Sequence, residues 1–160
     1  MPRPGLLLML AAVLAACAGA PAFDTAGVDH TLTPGMAAAD AGARGRQVQW
    51  GGVIVAASNL KDSTQLEVLA YPLTDGGAPD PQREALGRFL VLRPGYLETA
   101  DFAPGRAVTA VGAILETRRL RIGDGEHTVP VLSAGQLRLW PRGYDSAPQL
   151  HFGFGISIGR

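Results

Sequence analysis

Cysteine is almost missing from this sequence, since Cys17 is the only one among 160 residues. A single cysteine excludes an intramolecular disulfide and any zinc or iron–sulfur site built from several cysteines. An excess of charge is missing as well, because fourteen basic residues balance fourteen acidic ones. Neutrality argues against a nucleic-acid partner, which requires a basic stripe to meet phosphates.

The usual signatures of catalysis are also missing. No Gly-x-x-x-x-Gly-Lys run is present to cradle a phosphate. Ser157 has Gly-x-Ser-x-Gly spacing (155–159), but it lies in an alternating apolar stretch and not in the strand-to-helix elbow that a catalytic serine needs. His30, His127 and His151 are too scattered for the usual spacing of zinc ligands. Glu67 and Glu98 are candidates for a glycosidase-like carboxylate pair, although Glu67 also fits the outward position of a strand. The sequence therefore predicts no enzyme, no metal and no cofactor.

The N-terminal end carries a targeting pattern. Arg3 precedes an apolar run of eleven residues, 6–16. This run is shorter than the roughly 20 residues of a membrane-spanning helix and is typical of a signal peptide. It ends in Leu14-Ala15-Ala16-Cys17, which resembles a bacterial lipobox whose cysteine thiolate is alkylated by a lipid donor. The alternative is an ordinary signal peptide with an incidental cysteine.

A lipidated Cys17 predicts how the protein is attached. One acyl chain binds a membrane marginally, whereas two or three hold firmly, at about 0.8 kcal/mol per buried CH₂. The next residue is Ala18, and because aspartate at this place favours retention in the inner membrane, alanine favours the outer membrane. We expect the protein in the outer membrane of a Gram-negative bacterium, with its domain in the periplasm.

Composition divides the chain into four segments. Ala18 to about Thr33 is rich in small and polar residues and is expected to be an extended or disordered tether. Thr33 and Pro34 are typical of an N-cap and a first helical position, and Gly42 or Gly45 would end this short helix. The segments are a signal peptide (1–16), a lipidated tether with a short helix (17–45), a β-barrel domain (46–141) and a Gly-rich amphipathic tail (142–160).

The pattern of residues from Arg46 onward predicts β-strands. Apolar residues alternate with polar ones, as where Leu66 and Val68 face a core and Gln65 and Glu67 face out. Turn signals recur every eight to twelve residues, and Gly123 to Glu126 is a strong hairpin signal. We predict an all-β fold, a small OB-like barrel of five to six antiparallel strands, in which Gly52 and Gly112 mark bulges or tight bends.

Two further features bear on binding. Trp50, Tyr71 and Tyr96, with Phe89 and Trp140, are candidates for a stacking face for sugars, although aromatic residues more often fill the core. In the tail, Phe152, Phe154, Ile156 and Ile158 alternate with small residues, which predicts an edge strand. It could pair with its own barrel, with a partner or with the membrane.

Several short runs of residues occur in a fixed order between about residues 46 and 141, after the lipobox-like motif. They include Val48-Gln49-Trp50-Gly51-Gly52-Val53-Ile54-Val55, Thr64-Gln65-Leu66-Glu67-Val68, Tyr71-Pro72-Leu73, Gly95-Tyr96-Leu97-Glu98, Pro104-Gly105-Arg106 and Leu139-Trp140-Pro141. This ordered set resembles the Slp family of outer-membrane lipoproteins, named for starvation-inducible expression. The resemblance implies an outer-membrane lipoprotein and carries no catalytic residue to transfer.

Two functional hypotheses follow. The first is a lipoprotein held to the membrane through Cys17, with a non-enzymatic structural or binding role in the envelope, related to stress or starvation. The second is a barrel that binds or acts on envelope glycans with an aromatic face containing Trp50, Tyr71 and Tyr96. A third hypothesis, oligonucleotide binding, is disfavoured by the neutral charge and by the compartment.

Overall fold

The protein folds as a closed five-stranded barrel. The computed structural model describes residues 22–144, in which the strands are hydrogen-bonded in the order β1-β2-β3-β5-β4. This architecture confirms the predicted all-β class and small barrel. The elements are α1 (Pro34–Ala39), a 3₁₀ turn (Ala41–Ala43), β1 (Gln47–Asn59), β2 (Ser63–Tyr71), β3 (Gly87–Pro94), β4 (Ala107–Ile122) and β5 (Gly125–Leu139).

The barrel interior follows the period-2 pattern of the sequence. Along β2 the residues alternate between half-buried and buried from end to end, so that Leu66 and Val68 face inward as predicted. On β1, Trp50 packs edge-on against Phe89 of β3, with ring centroids 5.3 Å apart. Offset or edge-to-face contact is the geometry that two aromatic rings prefer. These side chains fill the centre of the core.

The one helix of the described residues begins as its sequence indicates. The hydroxyl of Thr33 accepts a hydrogen bond from the Met36 amide at 3.3 Å, and Pro34 occupies the first turn. The helix ends at Ala39, before either glycine that the sequence suggests as its end, because Asp40 is extended and caps the following 3₁₀ turn. Ala37 is fully buried in the barrel core.

The β4–β5 hairpin is longer than the sequence pattern suggests. Turn signals every eight to twelve residues predict shorter strands, whereas β4 spans 16 residues and β5 spans 15 without a break. Shifts in strand register after Val111 and after Ile114 bend β4 without ending it. A bulge of this kind increases local twist and lets one strand follow the curve of a barrel. Each strand therefore continues past the positions at which the alternation of apolar and polar residues is interrupted.

One strand pair departs from the predicted antiparallel arrangement. Leu90–Leu92 of β3 runs parallel to Val131–Ser133 of β5, whereas the other four pairs are antiparallel. Two parallel strands must be joined by a crossover connection. Here the chain passes from β3 through β4 and then turns into β5, which lies beside β3. Closure of the barrel therefore depends on this short contact. Within residues 22–144 no helix is long and apolar enough to cross a membrane.

Gly112 provides a test of the barrel's curvature. A Cβ atom on Gly112 would overlap the backbone carbonyl of Ser133 on the neighbouring strand. We expect Gly112→Ala to lower the free energy of unfolding by about 1–3 kcal/mol, since neither strand can withdraw without breaking the ladder. Urea denaturation followed by circular dichroism measures this loss. Gly135→Ala is the matched control, because its Cβ would meet only the Val111 carbonyl at an ordinary 3.9 Å; an equal loss in both variants would contradict the interpretation.

Candidate functional site

A cleft of about 740 Å³ lies beside the start of α1. Its first wall is the N-terminal segment, residues 22–34. Its second wall is the loop 72–77 that follows β2, and residues 49–51 of β1 form its base. The size falls within the range of pockets that hold small ligands. The cleft is therefore the candidate functional site of the described residues.

The N-terminal segment reaches the cleft because β5 pins it there. The Asp24 amide donates to Gln136 Oε1 at 3.0 Å, and Gln136 Nε2 donates to the Asp24 carbonyl at 2.9 Å. The guanidinium of Arg138 stacks on the Phe23 ring, 4.4 Å from its centroid. This cation–π contact and the paired hydrogen bonds hold residues 23 and 24 against the barrel. The described part of the predicted tether is thus a wall of the cleft.

Asp29 shapes the middle of this wall. Its carboxylate accepts hydrogen bonds from the hydroxyl and amide of Thr31 at 2.7 and 2.8 Å and from the Leu32 amide at 3.2 Å. It also forms an ion pair with Arg46. The hydrogen bonds from Thr31, with the Arg46 charge, lower the pKa of Asp29 from 3.8 to about 2. The shifted pKa therefore reflects a turn-stabilising role.

The base of the cleft is joined to the core through Trp50. Its indole Nε1 donates to the Leu32 carbonyl at 2.7 Å, a buried bond between the barrel and the N-terminal wall. Leu32 itself is buried within the main core cluster. Because an unpaired buried indole N–H or carbonyl is costly, this bond fixes the segment's position on the barrel.

The loop wall is held by a buried hydroxyl. Thr109 Oγ1 donates to the Gly77 carbonyl at 2.7 Å and accepts from Trp140 Nε1 at 2.9 Å. Within the loop, the Gly77 amide donates to the Thr74 carbonyl at 2.8 Å, which closes a tight turn. Gly77 has a φ of +80°, a conformation that favours glycine. The turn therefore has one preferred position over the cleft.

The structure separates the three aromatic residues proposed as a ligand face. Trp50 and Tyr71 both line the cleft, with Trp50 buried and Tyr71 half-buried. Tyr96 lies in the loop after β3, is 71% exposed and does not line the cleft. Two of the three therefore lie together, and Trp50 serves mainly as a core residue.

The other residues considered for chemistry are dispersed. Glu67 forms an ion pair with Arg88 on the neighbouring strand, and Glu98 is exposed in the loop after β3. His30 lies at the cleft and His127 in the β4–β5 hairpin. No group of three potential metal ligands occurs among residues 22–144. Cys17, Leu14, Ala15, Ala16 and His151 lie outside the described residues, as do positions 145–160 of the tail.

Several residues that form the cleft could not be predicted from the sequence. Arg138, Phe23 and Thr109 carry no motif, and the bonds that place them join residues far apart in the chain. Asp29 does carry a signal: an aspartate two residues before Thr31 is typical of an Asx turn. That signal predicts local order at 29–32 where composition alone predicts a tether.

Asp29 generates a prediction about pH. Its folded pKa lies below the ordinary value, so its stabilisation is complete above about pH 4 and is lost as the pH falls through about 2. We expect Asp29→Asn to lower the urea midpoint near neutral pH and to lower it much less at pH 2, where the folded carboxyl is already partly protonated. Asp124→Asn, in the exposed β4–β5 turn, is the control and should lower the midpoint at neither pH. A difference between wild type and Asp29→Asn that is as large at pH 2 as at neutral pH would contradict this role.

Thr109 generates a second prediction. Thr109→Val keeps the shape of the side chain but leaves the Gly77 carbonyl and the Trp140 indole without their partner. We expect a loss of about 1–3 kcal/mol in unfolding free energy, with faster hydrogen exchange at the Gly77 amide. Thr128→Val, exposed on the β4–β5 hairpin, is the control and should change neither quantity. Unchanged exchange at Gly77 in the Thr109 variant would show that this hydroxyl does not hold the loop.

Comparisons with known proteins identify the family. An uncharacterized protein of Haemophilus influenzae is 31% identical over 96 residues, which are 59% of this chain and 52% of that protein, so the chain spans about half the length of this relative. The solved structure of Schizosaccharomyces pombe Pot1pC bound to ssDNA is 8% identical to this chain, with a TM-score of 0.32. The match covers 78% of this chain and 90% of the Pot1pC chain. A model of the outer membrane lipoprotein Slp family matches residues 14–154. Because that match covers most of the sequence, the chain belongs to the Slp family of outer membrane lipoproteins.

Proposed function

We propose that the protein is attached to the outer membrane by a lipid on Cys17 and has a non-enzymatic structural or binding role in the envelope. The observation that carries this proposal is the family match, which begins at residue 14 and so includes the whole lipobox-like motif Leu14-Ala15-Ala16-Cys17. The cysteine stands directly after the two small residues that a lipobox has before its cleavage point. No second cysteine competes for modification.

The chemistry of the described residues supports a non-enzymatic role. Enzymes place groups with shifted pKa values together in a cleft. Here the carboxyl with a clearly shifted pKa is that of Asp29, and its hydrogen bonds explain the shift as the stabilisation of a turn. Glu67 is engaged with Arg88 on the outer face of the barrel. A role in stress or starvation stays a hypothesis that follows from the family resemblance.

The glycan hypothesis has less support. A sugar-stacking face needs exposed aromatic rings side by side. Trp50 presents little surface because it packs on Phe89, and Tyr96 is exposed away from the cleft. Tyr71 alone among the three is both at the cleft and partly accessible. We therefore favour the non-enzymatic envelope role.

The decisive variant is Cys17→Ala, expressed in a Gram-negative bacterium beside the wild type. We expect the N-terminal peptide of the wild type to start at Cys17 with the added mass of acyl chains and to fractionate with the outer membrane. The variant has no thiol to alkylate, so it should be released or unprocessed.

Ala18→Asp is the matched control for sorting. Its cysteine is intact, so mass spectrometry should still find the acyl chains, while fractionation should move the protein toward the inner membrane. A wild-type protein whose Cys17 is unmodified and which is recovered without membrane would overturn the proposed function.

A further inference from the structure

The cleft lies close to the point where the chain would leave the membrane. Ala22 and Phe23 form part of its N-terminal wall. Five peptide links join Cys17 to Ala22, and a fully extended chain covers at most about 3.6 Å per residue. A lipid on Cys17 would therefore hold this edge of the cleft within about 18 Å of the leaflet that contains its acyl chains. This distance is less than the length of one barrel strand such as β4.

We propose that the cleft binds a zwitterionic phospholipid of the leaflet that holds the Cys17 lipid. This inference rests on the proposed function, because the anchor is what brings the cleft to the leaflet. Because the link is short, the effective concentration of lipid headgroups at the cleft is high. Even a site of weak affinity is therefore occupied.

The lining of the cleft suits a molecule with both polar and apolar parts. Leu73 and Leu86, both half-buried, supply apolar surface, and Tyr71 adds a partly accessible ring. The side chain of Gln49 adds a polar group on the β1 side. A phospholipid presents a charged headgroup, a polar glycerol and the start of two acyl chains, which together match this mixture. A purely polar or purely apolar ligand would leave part of the lining mismatched.

The charges of the cleft match a zwitterion. Among residues 22–144, its lining contains the guanidinium of Arg138 and the carboxylate of Asp75, together with the imidazole of His30. Arg138 stacks on the Phe23 ring. That ring lies beside Gly77, since a Cβ added to Gly77 would be 3.5 Å from it. Asp75 precedes Gly77 by two residues in the same loop. A guanidinium has five N–H donors, so it can bind a phosphate in addition to partners within the protein. Asp75 is exposed and can meet an ammonium group.

Gly76 allows the cleft to be filled with little strain. It lines the cleft, and a Cβ at this position would meet only the Thr74 hydroxyl, at 3.9 Å. Gly76→Trp therefore places an indole in the ligand's space. Gly135→Trp is the matched control, since its Cβ has the same 3.9 Å clearance and Gly135 does not line the cleft. Asp75→Asn removes the anionic charge without adding volume.

The test uses the full-length lipidated protein, extracted in mild detergent with added phosphatidylethanolamine and examined by native mass spectrometry. We expect one phosphatidylethanolamine per wild-type and per Gly135→Trp molecule. Gly76→Trp should lower the bound fraction by about tenfold, equivalent to about 1.4 kcal/mol. With phosphatidylglycerol added as a competitor, Asp75→Asn should lose the preference for the zwitterionic lipid. Circular dichroism establishes that each variant is folded.

The same spectra separate the two proposals. An unmodified Cys17 contradicts the proposed function and the leaflet proposal with it. A lipidated Cys17 without bound phosphatidylethanolamine overturns the cleft proposal alone, as it would if an acyl chain of Cys17 itself filled the cleft. Equal binding by wild type and Gly76→Trp would also overturn it, because the lipid would then lie elsewhere.

Discussion

The hydrogen bond from the Trp50 indole to the Leu32 carbonyl joins the N-terminal segment to the barrel, and the arrangement of the cleft depends on it. It lies between a core side chain and the backbone of the N-terminal segment, which contacts with β5 also hold at Phe23 and Asp24. Leu32 is buried in the same core cluster as Ala37 of α1, and residues 22–34 form one wall of the cleft. A barrel of five strands thereby gains a wall that its strands alone do not supply.

The local features of the fold could be predicted from the sequence. The alternation in β2 places Leu66 and Val68 inside, and Thr33-Pro34 begins the helix, because both signals act within a few residues. The parallel β3–β5 contact and the continuity of β4 through its bulges could not, since both are imposed by closure of the barrel. Gly112 shows the difference: the sequence marks it as special, and only the fold brings the Ser133 carbonyl against it.

The candidate site was less predictable than the fold. Trp50 and Tyr71 stand out as aromatic residues and do lie at the cleft, but Tyr96, equally conspicuous in the sequence, lies away from it. The contacts that form the cleft join distant residues, as Asp24 joins Gln136 across 112 positions. Small and polar composition predicts a tether for this segment, and specific pairing with β5 overrides that tendency. The family, by contrast, is carried by an ordered set of short motifs, which sequence comparison detects directly.

The central claim is that the N-terminal segment is a structural part of the barrel, so that only a few residues separate the domain from Cys17, the proposed lipid site. Hydrogen exchange of the full-length protein in outer-membrane vesicles tests it most directly. The Asp29 amide donates to the Gln47 carbonyl at 2.8 Å, and the Gly35 amide, at the start of α1 directly after the segment, donates to the Leu86 carbonyl at 3.0 Å. The account predicts that both amides exchange at least about a hundredfold more slowly than in an unstructured peptide. Exchange at the rate of an unstructured peptide would mean that the segment is a free tether and would contradict the account.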